Sequence, residues 1–370
     1  SNHIVHLVPS PDQSDILTYH KADVPEPSGP TMDLTATNIV IATGAKPHPL
    51  PGNPFAGALI DSTQALEVNE FPSSAVIIGA GAIALEFASM WNAAGSKVTL
   101  LIRKDRVLSA WDRRAGTTLT RELKRHGVNI ITRASVTHVD TGANLGATVH
   151  YTREGQDGEQ SVWGEIALVA IGRDPITDPA WGVTIDDHGH VATDAYGRTD
   201  KPGVWAVGDV TAGHALAHRA FEQGIVIAET IAGLNPKPVD EATVPQIVFS
   251  FPEAASVGLT VEQAQAREDL IEIKETNYPM LANARMLMSG TAGSLTIVSG
   301  CDAANPDTPR VLGVHMVSQM ASDIIAEAEQ LVGNHVPLAD AARLVHPHPT
   351  FSETLGEALL KADGRPLHTR

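Results

Sequence analysis

The run Ala75-Val76-Ile77-Ile78 is continuous and apolar, and Gly79-Ala80-Gly81-Ala82-Ile83-Ala84 follows it at once. No other stretch restricts the fold so strongly. An apolar run of strand length, a turn with two glycines, and a mostly apolar stretch over 82–94 stopped by Gly95 predict strand, turn and helix. The small residues have separate uses: Gly79 permits a tight bend, Gly81 lets backbone approach a pyrophosphate, and Ala84 keeps helix and strand close. The helix N-terminus then offers free N–H groups and partial positive charge to phosphates. An ordinary glycine turn in an α/β sheet is the plainer alternative.

The surrounding pattern extends this unit. A strand is expected at 98–101, a helix at 114–126 closed by Gly127, then strands alternating to 166–172, which together predict a parallel sheet with right-handed crossovers. Upstream, 1–38 read as short strands and turns with a loop at 25–30, and 38–44 as a buried strand. Pro47, Pro49, Pro51 and Gly52 form a linker. After 173 come turns, a strand at 204–207 and a helix at 215–231. From 241, strands at 246–249, 293–298 and 311–317 mix with amphipathic helices at 322–332 and 351–362, an α+β pattern.

Coenzyme type is read at the end of the second strand. An NAD site calls for Asp or Glu about 20 residues beyond the glycines, to bond the ribose hydroxyls. Here Ile102 stands at that place and Arg103, Lys104 and Arg106 follow. A 2′-phosphate is favoured by arginine and repelled by an acid, so the expected coenzyme is NADP rather than NAD. Solvated loop cations are the plainer reading.

The chain's 370 residues suit two or three domains at ~150 residues each. A net charge of −17 argues against nucleic acid and anionic membrane as partners. No apolar run reaches the ~18 residues of a membrane-spanning helix, and no N-terminal targeting signal is visible. The single cysteine, Cys301, rules out a disulfide within the chain and leads to a cytoplasmic expectation. It sits in Val298-Ser299-Gly300-Cys301-Asp302, read as an incidental residue in a polar turn.

With the remaining motifs the chain resembles the class I pyridine nucleotide-disulfide oxidoreductases. Ala42-Thr43-Gly44 with Pro51-Gly52 is similar to that family's flavin-domain exit. Ala170-Ile171-Gly172-Arg173-Asp174-Pro175 is similar to the crossover back, and Val204-Trp205-Ala206-Val207-Gly208-Asp209 to its second flavin motif. Pro252-Glu253-Ala254-Ala255-Ser256-Val257-Gly258-Leu259-Thr260 resembles the start of the interface domain. His346-Pro347-His348-Pro349-Thr350-Phe351-Ser352-Glu353 resembles the C-terminal active-site signature.

The resemblance implies an α/β fold: a Rossmann-like nucleotide-binding domain (71–172) inserted in an FAD-binding domain (1–70 and 173–240), then an α+β dimerisation domain (241–370). It implies FAD and NADP or NAD as cofactors, a homodimer, and a small disulfide or lipoyl-bearing protein as substrate. Thr43, Gly44, Gly208 and Asp209 are implied at the flavin, Gly172 among the cofactor-binding residues, and Glu86 near the flavin–nicotinamide contact. His348 is implied as the thiol's acid–base and Glu353 as the group that orients it. The chemistry agrees, because thiol–disulfide exchange needs a side chain that holds and returns one proton near neutral pH. Alternatively, Glu353 simply caps the helix by reaching back to Thr350. His346 reads as structural, and Glu86 also fits a half-buried helix residue.

The chain departs from the family pattern at its front. The Gly-rich loop for the ADP half of FAD and the Cys-x-x-x-x-Cys pair are not in the sequence. It therefore reads as starting partway through the flavin domain, as a chain that binds flavin poorly and does not itself reduce a disulfide. A flavin-free nucleotide-binding dimer and an NAD(P)H–quinone reductase on the same fold are the alternatives.

Overall fold

The computed structural model describes residues 3–7, 32–142, 146–291 and 293–369. The loop expected at 25–30 lies outside them. The chain divides into two compact units, Ser1–Lys46 with Pro175–Val239, and Pro47–Asp174 with Asp240–Arg370.

The larger unit contains the expected Rossmann-like element. Five strands pair in the order Leu59–Ile60, Ile166–Val169, Ser74–Ile78, Lys97–Ile102, Asn129–Thr132, all parallel. Continuous apolar strands suit this position because both faces are covered; Val76 and Ile77 are fully buried. Helices Ala82–Ala93 and Arg113–Arg125 cover one face, burying Leu85, Trp91, Leu119 and Leu123 against Ile77 and Leu100. The second helix starts where the Asp112 side chain accepts from Ala115 N at 2.8 Å, and carries Lys124 and Arg125 in its last turn. Both features satisfy the helix ends and their dipole.

Two expectations are corrected here. The chain between Asn129–Thr132 and Ile166–Val169 is not a parallel continuation but an antiparallel meander of Ala134–Asp140, Ala147–Arg153 and Gln160–Gly164. Its middle strand alternates buried and part-exposed residues at Ala147, Thr148, Val149, His150 and Tyr151, the signature of a sheet with one solvated face. The first boundary also moves. Leu59 and Ile60 are buried and pair with Ala167 and Leu168, so the segment from Pro47 belongs with the nucleotide sheet and not with the residues before it.

The rest of this unit is an antiparallel sheet in the order Gln246–Val248, Glu253–Gly258, Asn305–Ser318, Ser294–Asp302, Leu270–Pro279. Helices Ala321–Gly333 and Glu353–Ala362 pack on it through Ile325, Ala328, Leu355 and Leu359 against Tyr278, Ile297 and Val314. The segment around Cys301 is not a turn. It is the end of strand Ser294–Asp302, where Cys301 is fully buried opposite Ile271, and burial pushes its thiol above its usual pKa.

The smaller unit pairs Ile39–Ile41 in parallel with Val204–Ala206, alongside helix Ala217–Ile231. Ile41, Val183, Val191, Val204, Ala206 and Val210 form its core. The strand expected to be buried over 38–44 is shorter and half-covered, with Val40 44% exposed. Among the described residues this sheet has two strands, too few to bury both faces. The helix likewise shows Phe221 (72%) and Ile225 (51%), neighbours one turn apart.

Candidate functional site

The coenzyme loop lies at the carboxyl edge of the parallel sheet. Gly79 has φ +143°, and a Cβ there would stand 2.1 Å from the Ala170 carbonyl oxygen; no side chain fits. A Cβ on Gly81 would meet nothing within 4 Å, so the space above the helix start is left for a ligand. Ala84 is fully buried, and a Cβ on Gly79 would also stand only 3.3 Å from its Cβ. The helix's first bond is Leu85 N to Gly81 O at 3.1 Å, and Gly81 supplies no side-chain cap. The N–H groups of Ala82, Ile83 and Ala84 therefore face outward for phosphate oxygens. This arrangement fits a dinucleotide pyrophosphate. Arg103 and Gly172 follow the ends of the two strands that flank Ser74–Ile78, the edge where open α/β sheets bind ligands.

Ile102 is 1% exposed and belongs to the core, which explains why an apolar residue occupies the position of the ribose-binding acid. Arg103 and Lys104 emerge directly after it, exposed. Arg106, expected beside Arg103, turns inward instead. Its side chain is 15% exposed, with Nη2 donating to Ser109 O at 3.1 Å and Nη1 to Asp105 Oδ1 at 3.2 Å. Gly116 leaves room for its stem, since a Cβ there would meet Arg106 Cδ at 3.2 Å. Arg103 is thus the arginine that the fold presents at the strand end.

Glu86 is half-buried and accepts from Phe249 N at 2.9 Å, while Ser89 Oγ, three residues on, accepts from Phe251 N at 2.8 Å. Helix Ala82–Ala93 thereby anchors the turn between strands Gln246–Val248 and Glu253–Gly258. The Gly172 carbonyl accepts from His48 N at 3.0 Å, and His48 Nδ1 lies 2.7 Å from Asp174 Oδ1. Sequence reasoning missed this pair; the available signal was an acid inside the crossover motif and a histidine in a proline-rich linker.

In the smaller unit, the two flavin motifs end side by side, because their strands run parallel and Val207 N donates to Ile41 O at 3.0 Å. Thr43 Oγ1 donates to Ile176 O at 2.7 Å and Gly44 O accepts from Ile176 N at 2.9 Å. Gly208 has φ +77° and its N–H donates to Gln223 Oε1 at 3.0 Å. The half-buried Asp209 side chain has no partner among the described residues. A carboxylate so placed fits a hydroxyl-bearing ligand chain, which is the part of FAD this edge can hold. No second glycine loop of the Gly79 kind exists in the sequence for the ADP half.

At the C-terminal signature, Glu353 performs both of the roles that the sequence left open. Its Oε1 lies 2.8 Å from His348 Nδ1, and its Oε2 accepts from Thr350 N at 2.9 Å. The backbone bond fixes the carboxylate, and the carboxylate fixes the ring, leaving Nε2 as the free nitrogen of a side chain that is 71% exposed. This is the base–orienter geometry of proton-transferring histidines.

His346 is structural, as expected. Its side chain is 9% exposed, packs over Gly356, and places Nε2 2.9 Å from Glu327 Oε1. The bond to Glu327 outweighs burial and raises its pKa above 6.5. A pKa raised on folding stabilises the fold fully below the unfolded value of about 6.5, and that contribution is lost as pH rises through the folded value. Glu327→Gln is therefore expected to cost about 1–3 kcal/mol at pH 6 and distinctly less at pH 9, by urea unfolding.

Comparison with known proteins identifies the family. Residues 11–224 match the pyridine nucleotide-disulphide oxidoreductase family and residues 244–359 its dimerisation domain. Dihydrolipoyl dehydrogenase of Cupriavidus necator is 37% identical, over 90% of this chain and 70% of that protein. The chain belongs to the pyridine nucleotide-disulphide oxidoreductases. A Bacillus subtilis dihydrolipoyl dehydrogenase is 36% identical with the same coverage. The crystal structure of LpdA from Mycobacterium tuberculosis superposes with a TM-score of 0.80 at 27% identity, covering 90% of this chain and 71% of that one. The oxidoreductase family to which the chain belongs is flavin-dependent, acts on sulfur groups and uses FAD and NAD(P). No described helix is long and apolar enough to cross a membrane.

Proposed function

We propose that this chain carries the coenzyme site and the acid–base pair of an NAD(P)H:disulfide oxidoreductase that works on lipoyl-type or other small disulfides. The observation that carries the reading is the His348–Glu353 pair, locked by Thr350 N and open at Nε2. Flavin, when bound, would supply the redox chemistry that links the coenzyme to a disulfide. The groups of this chain supply the rest. The loop from Gly79 to Ala84 holds the pyrophosphate, Thr43, Gly44, Gly208 and Asp209 edge the flavin, and Gly172 lies beside the coenzyme. His348 takes and returns the thiol proton at Nε2 while Glu353 holds Nδ1. Homodimerisation through the 241–370 region would carry this pair to the dimer interface, where it would serve a redox thiol that these 370 residues do not contain.

The chain as it stands does not complete that cycle. Its one cysteine, Cys301, is fully buried in the interface sheet, whereas exchange needs an accessible thiolate pair. The smaller unit, with Val40, Phe221 and Ile225 uncovered, holds flavin weakly. Purified protein mixed with FAD and desalted should lack flavin absorbance and show no NAD(P)H-dependent disulfide reduction; a yellow, active sample would overturn this.

Coenzyme preference follows from Arg103, exposed just beyond buried Ile102. NADPH should bind more tightly than NADH in fluorescence titration. Arg103→Glu exchanges a charge-assisted phosphate contact for repulsion, and should lower the NADPH/NADH affinity ratio by about 10–100-fold. Equal affinities in the unmodified chain would defeat the assignment.

A further inference from the structure

The outward face of the meander carries a cluster that neither coenzyme binding nor His348 uses. His138 and His150 stand directly opposite each other in the antiparallel register. Their rings stack with centroids 4.1 Å apart and planes 8° from parallel. A carboxylate meets each edge of the stack. On one, Asp140 Oδ2 lies 3.1 Å from His150 Nε2 and 3.9 Å from His138 Nε2. On the other, Glu159 lies 3.6 Å from His150 Nδ1 and 3.8 Å from His138 Nδ1. Thr137 Oγ1 donates to that carboxylate at 2.7 Å. The strands beneath are anchored by buried Val149 and Tyr151, so the two rings are held on firm backbone.

We propose that this cluster is a divalent transition-metal site, in which Nε2 of His138, Nε2 of His150 and an oxygen of Asp140 bind one ion. Their donor atoms lie within 4.8 Å of one another. Bonds of about 2.0–2.2 Å require donors roughly 3.3 Å apart, so small side-chain rotations close the site. Two imidazoles and one carboxylate select Cu²⁺ and Zn²⁺ over Mg²⁺ and Ca²⁺, with Cu²⁺ the tighter. Glu159 then has the role usual for a carboxylate behind ligating imidazoles: it accepts from the Nδ1–H groups and fixes the tautomer that frees Nε2. The fourth position stays open to solvent. Binding displaces any proton from Nε2, so affinity falls as pH falls.

The test is calorimetric titration of the tag-free 370-residue chain with ZnCl₂ at neutral pH. The expected result is one equivalent bound, with no heat from MgCl₂. His150→Ala and His138→Ala should each abolish binding, and Glu159→Gln should weaken it by about 10–100-fold while Asp140→Asn weakens it more. Circular dichroism checks that these surface variants fold. Electron paramagnetic resonance of the Cu²⁺ form supplies a readout independent of affinity, with hyperfine structure from two imidazole nitrogens expected. No zinc binding, or unchanged binding in His150→Ala, would overturn the site. A Cu²⁺ spectrum without paired imidazole nitrogens would do the same. A larger loss in Glu159→Gln than in Asp140→Asn would overturn the placement of the ion at the Asp140 edge.

Discussion

Gly79→Val abolishes coenzyme binding and destabilises the nucleotide sheet. The expected cost is about 3–5 kcal/mol, from forcing a side chain into a positive-φ residue and from overpacking beside the Ala170 carbonyl. Gly79 sits at φ +143° with that oxygen 2.1 Å from any Cβ. Relief requires Ser74–Ile78 and Ile166–Val169 to separate, although their pairing is the centre of the sheet. Thermal unfolding and NADPH fluorescence titration measure the two effects together. Gly81→Ala provides the contrast. A Cβ there meets nothing, so stability should hold while pyrophosphate affinity falls. A Gly79→Val protein with unchanged melting temperature would show that the strands separate easily and that the close approach has no structural weight.

His348→Gln lowers disulfide reduction by about 10²–10⁴-fold, the usual worth of a positioned acid–base group. The measurement needs a thiol pair, so the assay is made in a chimera. There a segment carrying a glycine-rich ADP loop and a Cys-x-x-x-x-Cys pair precedes this chain. Glutamine keeps the side chain polar but cannot carry the proton. The loss should appear in kcat with little change in NADPH affinity, because the coenzyme loop is built from other residues. Glu353→Gln should cost less, since its amide oxygen still accepts from Thr350 N while its hold on the His348 ring is weakened. A His348→Gln chimera as active as its parent would remove the acid–base role.

Local chemistry made much of this legible. The Gly79 loop, the flanking apolar strands and the helix stops at Gly95 and Gly127 are short-range signals, and the structure places the helices within two residues of their expected bounds. The ambiguity at Glu353, cap or orienter, did not resolve locally because one carboxylate has two oxygens and uses both. The meander escaped because an alternating strand between two parallel ones resembles a sheet member until its pairing is known. Arg106 escaped for a related reason: whether a loop arginine faces solvent or the Ser109 carbonyl depends on the backbone path and on the space over Gly116.

The sequence by itself determined the glycine turn between strand and helix, the apolar Ile102 followed by Arg103 where an NAD site calls for an acid, the order of the family motifs and the single cysteine among these 370 residues, because each rests on residue types at fixed short spacing. Only the tertiary structure decided that 47–70 joins the nucleotide sheet, that Cys301 is buried, that Arg103 rather than Arg106 faces outward, and that His138 meets His150 with a carboxylate at each edge. Those outcomes depend on strand register and on contacts between residues far apart in the chain, and a register shift of one residue would send His138 to the opposite face of its strand.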